Sequence, residues 1–308
     1  MQSLKQFLAR LGAALVVTAL VARVSGAQEL EPRAYSNTPV GLNFVIAGYG
    51  YSKGGVTTDP SVPLEDAKVQ VHTALLAYVR SLNVWGKSGK LDVVLPYAWA
   101  SGSATFAGQP RERDVSGPGD PRFRFSVNLY GAPALSLEEF ADYKQDTIVG
   151  ASLQVSAPLG QYDSSKLLNI GTNRWSIKPE LGISKALGPL TLELITGATF
   201  YTENDDFLGG RTLEQDPIYS VQGHLIYGFR SGIWGAVDGT YYTGGRTTIN
   251  GVKSNNLQQN TRVGVTVALP VDRNNSVKLY GSTGVATRIG SNFVTIGIAW
   301  QYRWGGGL

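Results

Sequence analysis

The chain has 308 residues, 43% of them apolar, with 27 basic and 23 acidic side chains, two histidines and no cysteine. Without cysteine, neither disulfides nor thiolate metal sites hold it together. Setting aside Lys5, Arg10 and Arg23 of the first segment leaves 24 basic against 23 acidic residues, so there is no basic surface of the kind that nucleic acid requires.

Lys5 and Arg10 precede an apolar run from Leu11 to Ala22, and Val24-Ser25-Gly26-Ala27 supplies small residues at the spacing a signal peptidase needs. Residues 1–27 therefore read as a secretory signal peptide cut after Ala27. A membrane anchor is the competing reading, but twelve apolar residues ended by Arg23 fall short of the roughly 20 that span a bilayer. Beyond Ala27 no apolar run approaches about 18 residues, so any crossing must use strands.

From there to the C-terminus, side chains alternate with a period of two. Strands are expected at about 40–51, 68–81, 90–101, 121–130, 147–157, 174–184, 189–202, 217–230, 232–243, 258–269, 275–287 and 292–304. In Arg122-Phe123-Arg124-Phe125-Ser126-Val127-Asn128-Leu129 one face is wholly apolar and the other wholly polar, the partition of a wall between lipid and water. The fold expected over 28–308 is all-β: an antiparallel transmembrane β-barrel of about 12 strands, of outer-membrane type. If the first strand runs outward, most outer connections are long and most inner ones short, as in bacterial barrels. Residues 131–146 are the long inner exception, where Ser136-Leu137-Glu138-Glu139 resembles a capping box opening a short helix through Tyr143, placed on the inner rim in preference to a fold into the pore.

Aromatics at both ends of the wall suggest interfacial girdles: Trp85, Trp234, Tyr302 and Trp304 on the inner side, Trp175, Tyr219 and Tyr241 on the outer. The aromatic last strand resembles the signal read by barrel-assembly machinery, an expected partner along with membrane lipid and lipopolysaccharide.

Parity sends Arg80, Arg122, Arg124, Arg174, Lys178, Arg230, Arg262, Lys278 and Arg303 inward with Asp92, Glu180, Glu193 and Asp238, beside Asn128, Gln154, Gln222 and His224. Such a lumen is mildly cationic. It could favour anionic solutes, or its charges could pair across strands and fill the barrel. At the third outer loop Tyr162, Asn173 and Trp175 could form a constriction against which a planar ring stacks, or the loop could simply be folded for stability. The acidic run at 203–206 lacks the glycine and glutamate of an EF-hand, so no metal site is expected there. Some outer-membrane barrels are serine hydrolases. Here Ser220 and His224 lie on one face of a strand but more than about 13 Å apart at 3.4 Å per residue, which argues against catalysis and for no cofactor.

Several segments resemble an outer-membrane transporter family described as "Putative MetA-pathway of phenol degradation". They are Glu31-Pro32-Arg33-Ala34-Tyr35-Ser36, Pro39-Val40-Gly41-Leu42-Asn43-Phe44, Gly119-Asp120-Pro121-Arg122-Phe123 and Leu129-Tyr130-Gly131-Ala132-Pro133-Ala134. Pro158-Leu159-Gly160-Gln161-Tyr162, Asn169-Ile170-Gly171-Thr172-Asn173-Arg174-Trp175 and Gln215-Asp216-Pro217 complete the set. The resemblance implies an outer-membrane barrel that admits aromatic or other hydrophobic compounds; with no energy-coupling motif visible, passive uptake of such solutes, phenol-like or aromatic acids, is expected. The alternatives are a narrow general porin and a structural or adhesive barrel without transport.

Overall fold

A computed structural model describes residues 31–57, 64–106 and 108–308; the expected signal peptide lies outside them. The wall strands are β1 (Leu42–Thr57), β2 (Leu64–Val84), β3 (Lys87–Phe106), β4 (Gln109–Pro118), β5 (Arg122–Tyr130), β6 (Thr147–Ser156), β7 (Ser176–Leu187) and β8 (Leu190–Tyr201). Two short strands, β9 (Asn204–Phe207) and β10 (Arg211–Gln215), precede β11 (Ile218–Gly228) and β12 (Trp234–Gly244). Another two, β13 (Thr247–Ile249) and β14 (Val252–Lys253), precede β15 (Gln258–Pro270), β16 (Asn275–Thr287) and β17 (Gly290–Gly305). The one α-helix among the described residues is α1 (Leu137–Phe140).

Each wall strand pairs antiparallel with its neighbours, and β1 pairs with β17 from Leu42↔Gly305 to Thr57↔Gly290, which closes the sheet. Because β4 and β5 lie end to end along β3, the barrel has twelve strands. Closure leaves the lipid-facing part of the wall without an exposed edge, the condition for putting sheet into lipid.

The distribution of side chains is that of a protein turned inside out. In β5, Phe123, Phe125 and Leu129 are exposed while Ser126 and Asn128 are buried. In β17, Val294, Ile296, Ile298, Trp300, Tyr302 and Trp304 all face outward. So large a continuous apolar surface has no stable counterpart in water and is the lipid-facing wall. Trp300, Tyr302 and Trp304 stack in series at its inner end, with ring centroids 6.2 and 5.7 Å apart.

Inner turns are tight. Trp85 and Gly86 both take positive φ (51° and 78°), the geometry that closes a two-residue hairpin with the twist of its strands. On the inner rim α1 has the expected capping box: Ser136 accepts from the Glu139 amide and Glu139 from the Ser136 amide. The bond from the Ser136 amide holds the Glu139 carboxyl below the usual carboxylate range.

The wall departs from the expected one at its outer side. β2 and β3 run for 21 and 20 residues, far more than the 9–11 a tilted strand needs to cross, so their outer halves stand clear of the membrane. β4 pairs there with β3 where a loop was expected. Its sequence Arg111-Glu112-Arg113-Asp114 meets no lipid and so carries no apolar face. Outside the barrel, β14-β13-β10-β9 form a second, four-stranded sheet, with Phe207, Leu213 and Ile249 as its buried core.

Three expected placements are corrected. Arg80 shares the outward face of Leu76 and Tyr78 near the inner end of β2, where a long cationic side chain reaches water past the apolar layer. Arg230 is exposed in a 3-10 turn between β11 and β12. Trp234 belongs to no girdle: it faces inward, in phase with buried Ala236 and Asp238, beneath the Arg33 guanidinium.

Candidate functional site

Two bodies of non-strand chain occupy the lumen, one from each end. The inner one is the segment leading into β1. The Arg33 backbone amide donates to Glu193 Oε2 (2.7 Å), and its guanidinium carbon lies 5.3 Å from the centroid of the Trp234 ring. Lys90 Nζ donates to the Ala34 carbonyl (3.2 Å), and Glu31 reaches Lys278 (3.6 Å). Farther along, Asn37 Nδ2 bonds the Pro133 carbonyl, and the Val40 and Gly41 amides bond the Leu135 and Ser81 carbonyls.

At the centre of this body is Tyr35, 1% exposed. Its ring lies against Gly150 of β6 and Gly182 of β7, which are register partners; a Cβ on either glycine would stand 2.2 Å from a ring carbon. Its hydroxyl is 3.2 Å from Ser152 Oγ, which in turn donates to Glu180 Oε2 (3.1 Å). Glu180 is the hub for two cations, Lys178 at 2.7 Å and Arg124 at 3.5 Å, and the Arg124 guanidinium lies over the Tyr35 ring. Three cations of the stripe predicted from parity are thus paired: Lys178 and Arg124 with Glu180, and Lys278 with Glu31.

The outer body is loop 157–175. Leu168, with Ile170 beside it, packs on inward-facing Val69, Val71, Ala98 and Ala100 of the upper wall and on Phe293. Asp120, in the break between β4 and β5, anchors the loop: Oδ1 accepts from the Gly160 amide, Oδ2 from the Thr172 amide and hydroxyl. Tyr162 and Asn173 both bond Asn204 of β9 and tie the loop to the outer sheet. Trp175 is 47% exposed on the outer face of the wall, and so is no part of a constriction.

The remaining expected residues are distributed along the inner wall. Asn128, Gln222, His224, Asp238 and Arg262 are buried, while Arg122, Gln154 and Lys278 are partly buried. Arg262 donates to Ser282 Oγ and the Phe293 carbonyl, and Arg303 donates to the Arg273 carbonyl at the inner rim. His224 Nδ1 lies 2.7 Å from Asp238 Oδ1, and Asp238 Oδ2 accepts from Thr266. Among the described residues nothing partners His224 Nε2, so the dyad lacks a bonded nucleophile.

Sequence reasoning missed Lys90, Tyr35 and Asp120 as lumen residues and Gln215 as a partner of Arg174 at the outer mouth. The signal was present in the segments that carry the family resemblance. Residues 31–36 and 129–134 meet at the inner body, through Tyr35 packed with Ala132. Residues 119–123, 158–162, 169–175 and 215–217 meet at the outer one, through Asp120 and through Arg174, which donates to Gln215.

A closed twelve-stranded wall with an apolar exterior and a polar, partly filled lumen defines an outer-membrane β-barrel. Within that class, the chain belongs to the family described as "Putative MetA-pathway of phenol degradation", whose pattern it matches over residues 50–302. Among solved structures it is similar to the COG4313 outer membrane channel from Pseudomonas putida F1: TM-score 0.77 and 22% identity over 90% of this chain and 100% of that one. It also resembles the transport unit of the autotransporter AIDA-I from Escherichia coli, with TM-score 0.53 and 10% identity over 96% of both chains. At these identities the likeness is one of fold. No curated protein sequence matches the chain.

Proposed function

We propose that the protein is a passive outer-membrane channel for small hydrophobic or aromatic compounds, aromatic acids among them. The observation that carries this reading is how the lumen is filled. Segment 31–41 is held there by side-chain contacts and scattered backbone bonds and is not a strand of the wall, so it can leave without opening the barrel. A barrel of twelve strands is wider than those of eight that side chains alone fill, and release of this segment opens its inner half up to the outer loop 157–175, beside which a narrow path would run. Membership of a family named for phenol degradation supports aromatic solutes. No energy-coupling device is needed for solutes that move down their gradient.

Current through the refolded mature protein in planar bilayers, with phenol, benzoate or a fatty acid added, tests the reading. Saturable block by one of them supports a binding channel and names the solute class. Steady current indifferent to all of them favours a general porin. Absence of both current and solute uptake favours a structural barrel.

A further inference from the structure

The outer ends of β7, β8, β10, β12 and β15 converge on a group of polar side chains, several of whose atoms have no partner among the described residues. Arg174, 5% exposed, donates Nη2 to Gln215 Oε1, and its guanidinium carbon lies 4.4 Å from the centroid of the Tyr201 ring. Its Nη1 has no partner among the described residues. Gln215 Nε2 donates to the Gly245 carbonyl (3.1 Å). The Nε2 atoms of Gln258 and Gln215 stand 2.4 and 2.7 Å from the point a Gly245 Cβ would occupy, so the two amides are neighbours. Gln258 is fully buried, and neither its Nε2 nor its Oε1 is partnered among the described residues; nor is Nε of Arg246.

A guanidinium withdrawn from water is strongly disfavoured unless an anion faces it, and buried amides are rarely left unbonded. Asp120, the acid whose field reaches Arg174, has both oxygens engaged by Gly160 and Thr172. Among the described residues no carboxylate makes an ion pair with Arg174. Ile218, 2% exposed, supplies an apolar side chain beside Gly245. We propose that Arg174 and Gln258 form a carboxylate subsite that takes up the acid group of an apolar monocarboxylate such as benzoate at the outer mouth. Arg174 Nη1 and Gln258 Nε2 donate to the carboxylate, Gln215 holds the guanidinium in place, and the apolar body of the solute lies toward Ile218. This rests on the channel reading above and names its solute class.

The test reads binding rather than current: the thermal unfolding midpoint of the refolded full barrel, titrated with benzoate or with benzyl alcohol, which has the ring but no carboxylate. A ligand that binds only the folded state raises the midpoint with its concentration. Benzoate should raise it and benzyl alcohol should not. Arg174→Gln and Gln258→Leu should each shift the half-saturating benzoate concentration upward at least about tenfold. The proposal is overturned if the two solutes act alike. It is equally overturned if Gln258→Leu raises the midpoint but leaves the benzoate response unchanged, the behaviour of an amide buried for no ligand. Should Arg174→Gln fail to fold, Gln258→Leu decides alone. Benzoate binding without any passage through bilayers would contradict the channel reading and leave the subsite standing.

Discussion

Tyr35 lies flat against Gly182, so close that a Cβ on that glycine would stand 2.2 Å from Tyr35 Cε2. Gly150, the register partner of Gly182, touches the other side of the same ring, and together the two glycines make a slot in the wall that only a bare backbone can provide. Gly182→Val should therefore expel the ring while leaving the wall to close, since β-branched residues suit strands. Limited proteolysis should cut segment 31–41 in the variant and spare it in the parent protein.

Glu180 is the shared partner of Lys178, Arg124 and Ser152. Removing the carboxylate leaves cations buried against one another, and breaking a buried pair from one side costs about 3–5 kcal/mol. Glu180→Ala should lower the unfolding midpoint clearly, while Glu180→Gln, which keeps the shape and one acceptor, should lower it less. Thermal unfolding of the three proteins side by side checks the order.

Asp120 accepts three hydrogen bonds from loop 157–175, of the charge-assisted kind worth about 1.5–3 kcal/mol each. Asp120→Ala should free that loop while the paired strands persist. Hydrogen exchange should quicken at Gly160 and Thr172 and stay slow in β6 and β7.

His224 and Asp238 are register partners facing the lumen, and with Thr266 they form a buried polar chain. Asp238 is engaged by both the His224 ring and the Thr266 hydroxyl, and the pair is expected to serve the structure of the wall. The purified protein should not hydrolyse ester or phospholipid substrates, and His224→Ala should change stability alone. A hydrolytic activity abolished by that replacement would contradict this.

Much of the wall was legible in the sequence because lipid and water impose opposite demands on alternate residues. Residues 275–287 form β16 with the expected bounds, and Asp238 faces inward as the parity of its strand required. That same physics falls silent where lipid ends. The Arg111–Asp114 stretch meets water, so β4 left no alternation to read. Neither did the segment around Tyr35 announce its place: it has no periodicity, and its partners Gly150, Ser152 and Gly182 become neighbours only when β6 pairs with β7. Arg174 was read as a lumen cation, but its relation to Gln215 and Gln258 depends on the outer ends of separate strands converging, which no local pattern encodes.

Single-channel current of the refolded mature protein beside its Tyr35→Ala variant tests the central claim, that a channel is closed by the segment preceding β1. Truncating a fully buried aromatic side chain costs about 3–5 kcal/mol of the packing that holds such a segment in place. The account predicts small or intermittent current for the parent protein and a steady conductance several-fold larger for the variant, with the barrel still folded. Equal currents from the two folded proteins would contradict it.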